Sequence, residues 1–219
     1  MNRQQLTDDQ LFFRLMHNRT DKTYWNNIVE LRARTSDTIF TRCHELATTG
    51  NEREKILAVN VLAQLGGASR PFYAPSIALY FDMLEIAGAP KLISAILYAV
   101  GHNNRNLSAA QISDIAALSR HPRKEVRSAV VYALLTVNDP VAIDTLILLS
   151  TDKVADIRNW ATFGLGSQLE NTEACVVDAL WNRINDTHED TRLEAIAGLA
   201  HRKDPRVKDM PELAQLSNL

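Results

Sequence analysis

The feature that most constrains the fold of this sequence is an internal repeat with a period in the thirties. Three segments of the second half align without gaps: HPRKEVRSAVVYAL (121–134), DKVADIRNWATFGL (152–165) and DTHEDTRLEAIAGL (186–199). Each has an arginine at the same position, and these arginines lie 31 and 34 residues apart: Arg127, Arg158 and Arg192. Weaker copies centred on Lys55 and Leu92 continue the series at intervals of 37 and 35 residues. Five copies at this period predict stacked helix pairs that bury their apolar faces against one another.

The pattern within each copy is helical. Apolar or small residues recur at positions −1, +3, +6 and +7 counted from the arginine, which places them in one stripe along a helix. Small residues at +6 (Ala133, Gly164 and Gly198) predict that another helix approaches closely at that point.

Polar residues at the starts of these segments have the spacing of helix caps. Asp152 and Asp186 stand at predicted N-caps. Thr49 with Glu52, and Asp186 with Glu189, have the spacing of capping boxes.

Apolar stripes between the repeat helices predict a partner helix for each of them, at 36–48, 74–87, 108–120, 139–150 and 172–185. Two further helices, Leu6–His17 and Lys22–Ala33, are expected to cap the N-terminal end (1–35), and a helix at 204–216 is expected to cap the C-terminal end (203–219). The sequence therefore predicts an all-α, single-domain α-solenoid of eleven to thirteen helices over residues 1–219, with about five repeats in 36–202.

Composition narrows the function classes. Eight glycines and seven prolines among 219 residues are few for a fold of many short strands. Two cysteines cannot form a disulfide framework, and a net charge of −2 provides no strong global field for nucleic acid. The start of the sequence lacks a signal-peptide pattern and no apolar run has membrane-spanning length, so we expect a soluble, cytoplasmic protein that does not bind membranes.

At these residues the sequence resembles a known family. EVRSAVVYAL, DIRNWATFGLG and DTRLEAIAGL, together with EREKILAVNVLAQLG at 52–66, resemble the second helices of HEAT repeats of the short, phycobilisome-lyase HEAT-like type. The resemblance implies a right-handed stack of antiparallel helix pairs, second helices along a concave face, and a role in binding macromolecules. Some small bacterial HEAT proteins that this sequence resembles are encoded beside Rhs-type toxin genes and are regarded as immunity proteins, whereas others are scaffolds, bilin lyases or DNA glycosylases.

Motifs that indicate catalysis are missing from the sequence. His44-Glu45 begins like a zinc-protease motif, but Thr48 occupies the position of the second histidine, so we expect no metal site there. The sequence contains no nucleophile elbow, P-loop or dinucleotide fingerprint. We therefore expect a non-enzymatic protein without a cofactor, although residues converging from several repeats are not visible in a sequence.

The recurring arginines have two interpretations. Since Arg127, Arg158 and Arg192 recur at one position, an architectural role is favoured, with bonds to loop acids or carbonyl groups of neighbouring repeats. The alternative is a ladder of guanidinium groups that faces an acidic partner.

Residues that do not recur are better candidates for binding, because the architecture does not require them. Offsets +1, +5 and +8 from the arginine lie opposite the buried stripe. They predict a row along the concave groove with Asn159 and Trp160 beside it, and aromatic residues in a groove are typical protein anchors. The alternative is that neighbouring helices cover most of these side chains. The row consists of Asn60, Leu97, Tyr132 and Phe163.

The first functional hypothesis is thus a monomeric protein-binding module, with a toxin as one form of partner. The alternative is a nucleic-acid-binding or base-excising protein, which needs a basic face, an aromatic residue and a carboxylate; the local candidates are Arg127, Arg158, Trp160 and Asp156. A bilin lyase is a third, weaker alternative. The basic run RHPRK at 120–124 favours a solvated helix start, with a local basic patch as its alternative.

Overall fold

The computed structural model describes residues 3–213, and in that range the chain is helical, with twelve complete α-helices and no strand. The chain divides into two compact units, Met1–Asn103 and Asn104–Leu219. None of the helices within residues 3–213 combines the length and the apolar run needed to cross a bilayer. The predicted all-α class and helix number are confirmed, and the single-domain organisation and the cytoplasmic location stay predictions.

The first unit contains six helices: α1 (Asp8–His17), α2 (Asp21–Arg32), α3 (Asp37–Thr49), α4 (Glu52–Leu62), α5 (Tyr73–Ile86) and α6 (Pro90–Gly101). The second unit contains the other six: α7 (Ala109–Ala117), α8 (Lys124–Leu134), α9 (Pro140–Leu149), α10 (Ala155–Phe163), α11 (Ala174–Trp181) and α12 (Glu189–His201). Each predicted segment from Leu6 to residue 202 overlaps one of these helices, with ends that differ by a few residues. At the C-terminal end, the prediction of one continuous helix over 204–216 was wrong: a 3-10 turn at Pro205–Val207 is followed by non-helical residues 208–211, and helical geometry starts again only at residue 212. Residues 214–219 lie outside the described range.

Several predicted caps were wrong by a few residues. Asn51, not Thr49, caps α4 and forms a capping box with Glu54. The side chains of Asp152 and Asp186 accept from the backbone N–H groups two residues later, at Val154 and His188, so each carboxylate stabilises the loop before the helix. The error arises because an acid before a helix can bond two residues ahead, in an Asx turn, as readily as three.

In the second unit, glycines bring the backbones of neighbouring elements together. A Cβ atom on Gly198 of α12 would lie 2.5 Å from the Cα atom of Gly166. Gly166 belongs to a π-helical turn, Gly164–Gln168, that continues α10. At Gly164 an added Cβ would lie 3.1 Å from a methyl group of Leu135. The close approach predicted at the small +6 residues is therefore confirmed at Gly164 and Gly198.

The π-helical turn leaves backbone carbonyl groups without helical partners, and Arg202 bonds to them. Its guanidinium donates to the carbonyl oxygens of Leu165 (2.7 Å), Gly166 (2.8 Å) and Leu169 (2.6 Å). It also donates to the carbonyl oxygens of Asn171 and Gly198. This single side chain thus joins the end of α12 to the turn after α10, with its positive charge at the negative ends of both helices.

Candidate functional site

The repeated arginines bond to residues of the loops that precede the repeat helices. Arg127 of α8 is buried, and its Nε and Nη2 donate to the two carboxylate oxygens of Asp152 at 2.6 and 3.0 Å. Its Nη1 donates to the carbonyl oxygens of His121 and Pro122. Both partners of this fork-shaped pair are nearly inaccessible to solvent, which makes it stronger than a surface ion pair.

The next repeat has the same geometry. Arg158 donates through Nε and Nη2 to Asp186 at 2.9 and 2.8 Å, and through Nη1 to the carbonyl oxygen of Asp152. Arg192 donates to the carbonyl oxygen of Asp186 at 2.9 Å. The Arg158 guanidinium and the backbone N–H of His188 hold the pKa of the Asp186 carboxyl below its usual range, despite the opposing effect of burial.

Bonds to loop acids and carbonyl groups explain why these arginines recur. Because the guanidinium groups of Arg127 and Arg158 already bind carboxylates in their own unit, they do not form a ladder open to an acidic partner or to phosphates. We call this set of residues the arginine–aspartate ladder: Arg127, Arg158, Arg192, Asp152 and Asp186. Its role is to hold neighbouring repeats together.

The aromatic residues predicted for the second half of the chain lie on the open sides of α8 and α10. Trp160 is 51% exposed, and its ring meets the ring of Phe163 edge to face with 5.5 Å between centroids. Asn159, Phe163 and, on α8, Tyr132 are half-buried. We call Tyr132, Asn159, Trp160 and Phe163 the aromatic face.

Burial along α10 explains why this face is open. Ile157, Ala161 and Leu165 are buried on one side, as the repeat stripe predicts, and the opposite side carries Trp160 and Phe163. The side-chain oxygen of Asn159 is buried without a hydrogen-bond partner. The face therefore carries large rings on a largely apolar surface, which suits contact with a protein.

The two residues of the predicted row that belong to the first unit, Leu97 and Asn60, have different surroundings from those of the aromatic face. Leu97 is 0% exposed, so its assignment to an open groove was wrong. Five residues of α6 are exposed or half-exposed: the two terminal residues, Pro90 and Gly101, and Lys91, Ala95 and Tyr98. The last three are the +1, +5 and +8 positions counted from Pro90 instead of Leu92. The register was misplaced because this copy lacks the arginine that marks the frame, and seven of the twelve residues of α6 are buried.

Asn60 lies on α4 and is half-buried. Its Nδ2 donates to the hydroxyl oxygen of Tyr24 at 2.8 Å, and its backbone carbonyl oxygen accepts from Nε of Arg32 at 2.8 Å. Burial raises the pKa of Tyr24. Asn60 therefore ties α2 to α4.

Sequence reasoning did not find a cavity that lies in the first unit. It has a volume of about 500 Å³ and lies beside the loops that join α3 to α4 and α5 to α6. Its apolar lining includes Leu79, Met83 and Ile86, and its charged lining includes Lys55 and Asp82. No local motif marks such a cavity, because it forms only when the two helix pairs pack together.

The described residues contain no cluster of side chains that could bind a metal ion, and their two cysteines lie in different environments. Within 3–213, no three His, Cys, Asp or Glu side chains gather closely enough to hold a metal ion. Cys43 is buried, and burial raises the pKa of its thiol, whereas Cys175 is exposed.

The comparisons with known proteins establish the fold. No protein-family model matches the chain. A segment of 83 residues is 39% identical to Protein YibA of Escherichia coli K12, and equally to that of strain O157:H7, over 37% of this chain and 29% of the relative. The chain thus matches less than a third of the length of these curated relatives. The X-ray structure of E. coli YibA aligns with 99% of this chain and 76% of that chain at 21% identity and a TM-score of 0.77. The chain therefore has the helical fold of YibA.

Proposed function

We propose that this chain is a non-enzymatic protein-binding module of the HEAT-repeat type, whose helix pairs within each unit stack as in a right-handed α-solenoid. The observation that carries the binding proposal is the exposure of Trp160 beside Phe163 on α10. Contact of the apolar indole ring with water is unfavourable, and binding of another molecule over the ring removes that contact. Exposed aromatic residues of this kind are enriched at the centres of protein interfaces.

The resemblance to small HEAT proteins encoded beside Rhs-type toxin genes extends the proposal to the partner. We propose that the partner is a toxin and that binding neutralises it. The aromatic face suits this role because neutralisation by binding needs an interface and no catalytic group. A large toxin gene next to the gene for this chain would support the toxin assignment, and its absence from related genomes would oppose it.

Affinity capture from the organism that encodes the chain tests the proposal. The wild-type protein and two variants serve as baits: Tyr132→Ala with Phe163→Ala, and Val141→Ala, which removes a 42% exposed side chain from α9 instead of from the aromatic face. We expect the wild type and the Val141 variant to retain the same protein, and the double variant to lose about 2–4 kcal/mol of affinity for it.

The melting temperatures of the baits separate binding from folding. If the rings of Tyr132 and Phe163 serve the partner, the double variant should melt close to the wild type. If they mainly fill space between helices, each truncation should lower the free energy of unfolding by about 3–5 kcal/mol. Loss of binding only through such unfolding would remove both residues from the site.

A further inference from the structure

The basic run at 120–124 lines a cavity in the second unit that the proposed function does not use. The cavity has a volume of about 330 Å³ and lies where the loop before α8 meets the loop before α10. Arg120 and His121 line it from the first loop, and Lys153 lines it from the second. The fold thus places Lys153, which is distant in sequence, beside the basic run at 120–124.

Three cations line this cavity, and within residues 3–213 two of them, Arg120 and Lys153, make no ion pair. Arg120 and Lys153 are exposed, and neither makes an ion pair or a side-chain hydrogen bond there. The one carboxylate in the lining, Asp152, is neutralised by the two-pronged bond from Arg127. The lining therefore has an excess of two positive charges.

The imidazole of His121 adds a hydrogen-bond donor. Its Nδ1 accepts from the backbone N–H of Arg123 at 3.1 Å. In the neutral ring this leaves the proton on Nε2, so that nitrogen is a donor.

The architecture of the repeat does not require these charges. In the aligned loops, the position of Arg120 is taken by Thr151 and Asn185, and the position of Lys153 by Pro122 and Thr187. The ladder residues recur in the same alignment. Charges that appear at only one junction between repeats, and converge on one cavity, point to a ligand of this junction.

We propose that this cavity binds a phosphate monoester dianion. A phosphate monoester carries a charge of about −1.5 to −2 at neutral pH, which matches the two unpaired cations, and its oxygens accept hydrogen bonds from a guanidinium fork and an imidazole N–H. The phosphate belongs to a phosphorylated side chain of another protein or to a small phosphorylated metabolite, and both present the same group. The site is separate from the aromatic face, so the proposal stands or falls independently of the proposed function.

The test follows the amide signals of residues 119–124 and 151–154 by NMR during titration of the full chain. The probes are inorganic phosphate, glycerol 3-phosphate and a tripeptide with a central phosphoserine, at constant ionic strength set with sodium chloride. The test variant carries Arg120→Gln and Lys153→Gln. The control variant carries Arg123→Gln and Lys124→Gln, which removes the same charge from the same run at residues that do not line the cavity.

We expect saturable shifts at these signals in the wild type, dissociation constants within about twofold in the control, and binding at least about tenfold weaker in the test variant. Tighter binding of the tripeptide than of glycerol 3-phosphate supports a phosphorylated protein as the source, and the reverse supports a metabolite. Equal weakening in both variants would show a general charge effect and overturn the proposal. The absence of saturable shifts overturns it as well, as does binding of a short DNA duplex through Arg120 and Lys153 without any response to the monoesters.

Discussion

Substitution of Gly198 by alanine tests the packing of the second unit most sharply. The added Cβ would lie 2.5 Å from the Cα atom of Gly166 and 3.2 Å from a methyl group of Leu180. Non-bonded carbon atoms are comfortable at about 3.5–4.0 Å, so α12 and the turn after α10 would have to separate by about 1 Å. The obstructing atom belongs to the backbone and has no rotamer through which it can move away.

Two opposing effects determine how far Gly198→Ala changes the free energy of unfolding. Replacement of glycine by alanine in a helix interior favours the helix by about 1 kcal/mol. Overpacking costs about 1–3 kcal/mol, and more when backbone meets backbone. Because the obstructing atom belongs to the backbone, we take the upper end of this cost, about 3 kcal/mol, and expect Gly198→Ala to lower the free energy of unfolding by about 2 kcal/mol in total.

Two other glycines provide a graded control. At Gly164 the added Cβ would meet methyl groups of Leu135 and Leu146 at 3.1 and 3.3 Å, which side-chain motion can relieve. At Gly88 it would meet nothing within 4 Å, so that substitution should be neutral or slightly stabilising. The expected order of destabilisation is Gly198, then Gly164, then Gly88.

Denaturant unfolding followed by tryptophan fluorescence measures this order. In a Trp25→Phe background the fluorescence comes from Trp160 and Trp181, which both belong to the second unit, so it compares the Gly198 and Gly164 variants. Gly88 belongs to the first unit, and circular dichroism of the whole chain follows the unfolding of its variant. A Gly198→Ala variant as stable as the wild type, or more stable, would refute the close backbone approach.

Further predictions concern the ladder and the turn after α10. The pKa values of Asp152 and Asp186 are lowered in the folded chain, so their ionised carboxylates stabilise the fold at pH values above the ordinary aspartate range. This stabilisation should be lost as the pH falls below about 4, and thermal melts from pH 7 to pH 3 measure the loss. Asp186→Ala leaves Arg158 without its carboxylate in a poorly solvated site and should destabilise by about 3–5 kcal/mol at pH 7, whereas at pH 3 the variant and the wild type should differ less. Arg202→Ala should lower the free energy of unfolding by about 2–4 kcal/mol, measured in denaturant. Arg202→Lys should not restore stability, because one ammonium group cannot reach five carbonyl oxygens. Full rescue by lysine would contradict the proposed role of the guanidinium.

The sequence was informative wherever a regular period carried the signal. The helices were predicted because apolar stripes of helical spacing recur, and the open sides of α8 and α10 followed from the same frame. Leu97 was misplaced because the frame of that copy had no arginine to mark it.

Features that depend on packing could not be predicted in this way. The cap positions at Asp152 and Asp186 depend on which backbone N–H the carboxylate selects, and a sequence allows either choice. The π-helical turn and its contact with Arg202 join residues more than thirty positions apart. Likewise, the cavity that gathers Arg120 and Lys153 exists only once two helix pairs are stacked.

Photo-crosslinking in living cells tests the central claim, that the aromatic face binds a protein, most directly. A benzophenone amino acid replaces Trp160 in one strain and Val141 in another, in the organism that encodes the chain. Both sites are exposed to a similar extent, but only residue 160 belongs to the aromatic face. We predict a discrete crosslinked protein at position 160 that is absent at position 141. No crosslinked protein at position 160, or the same products at both positions, would contradict the account.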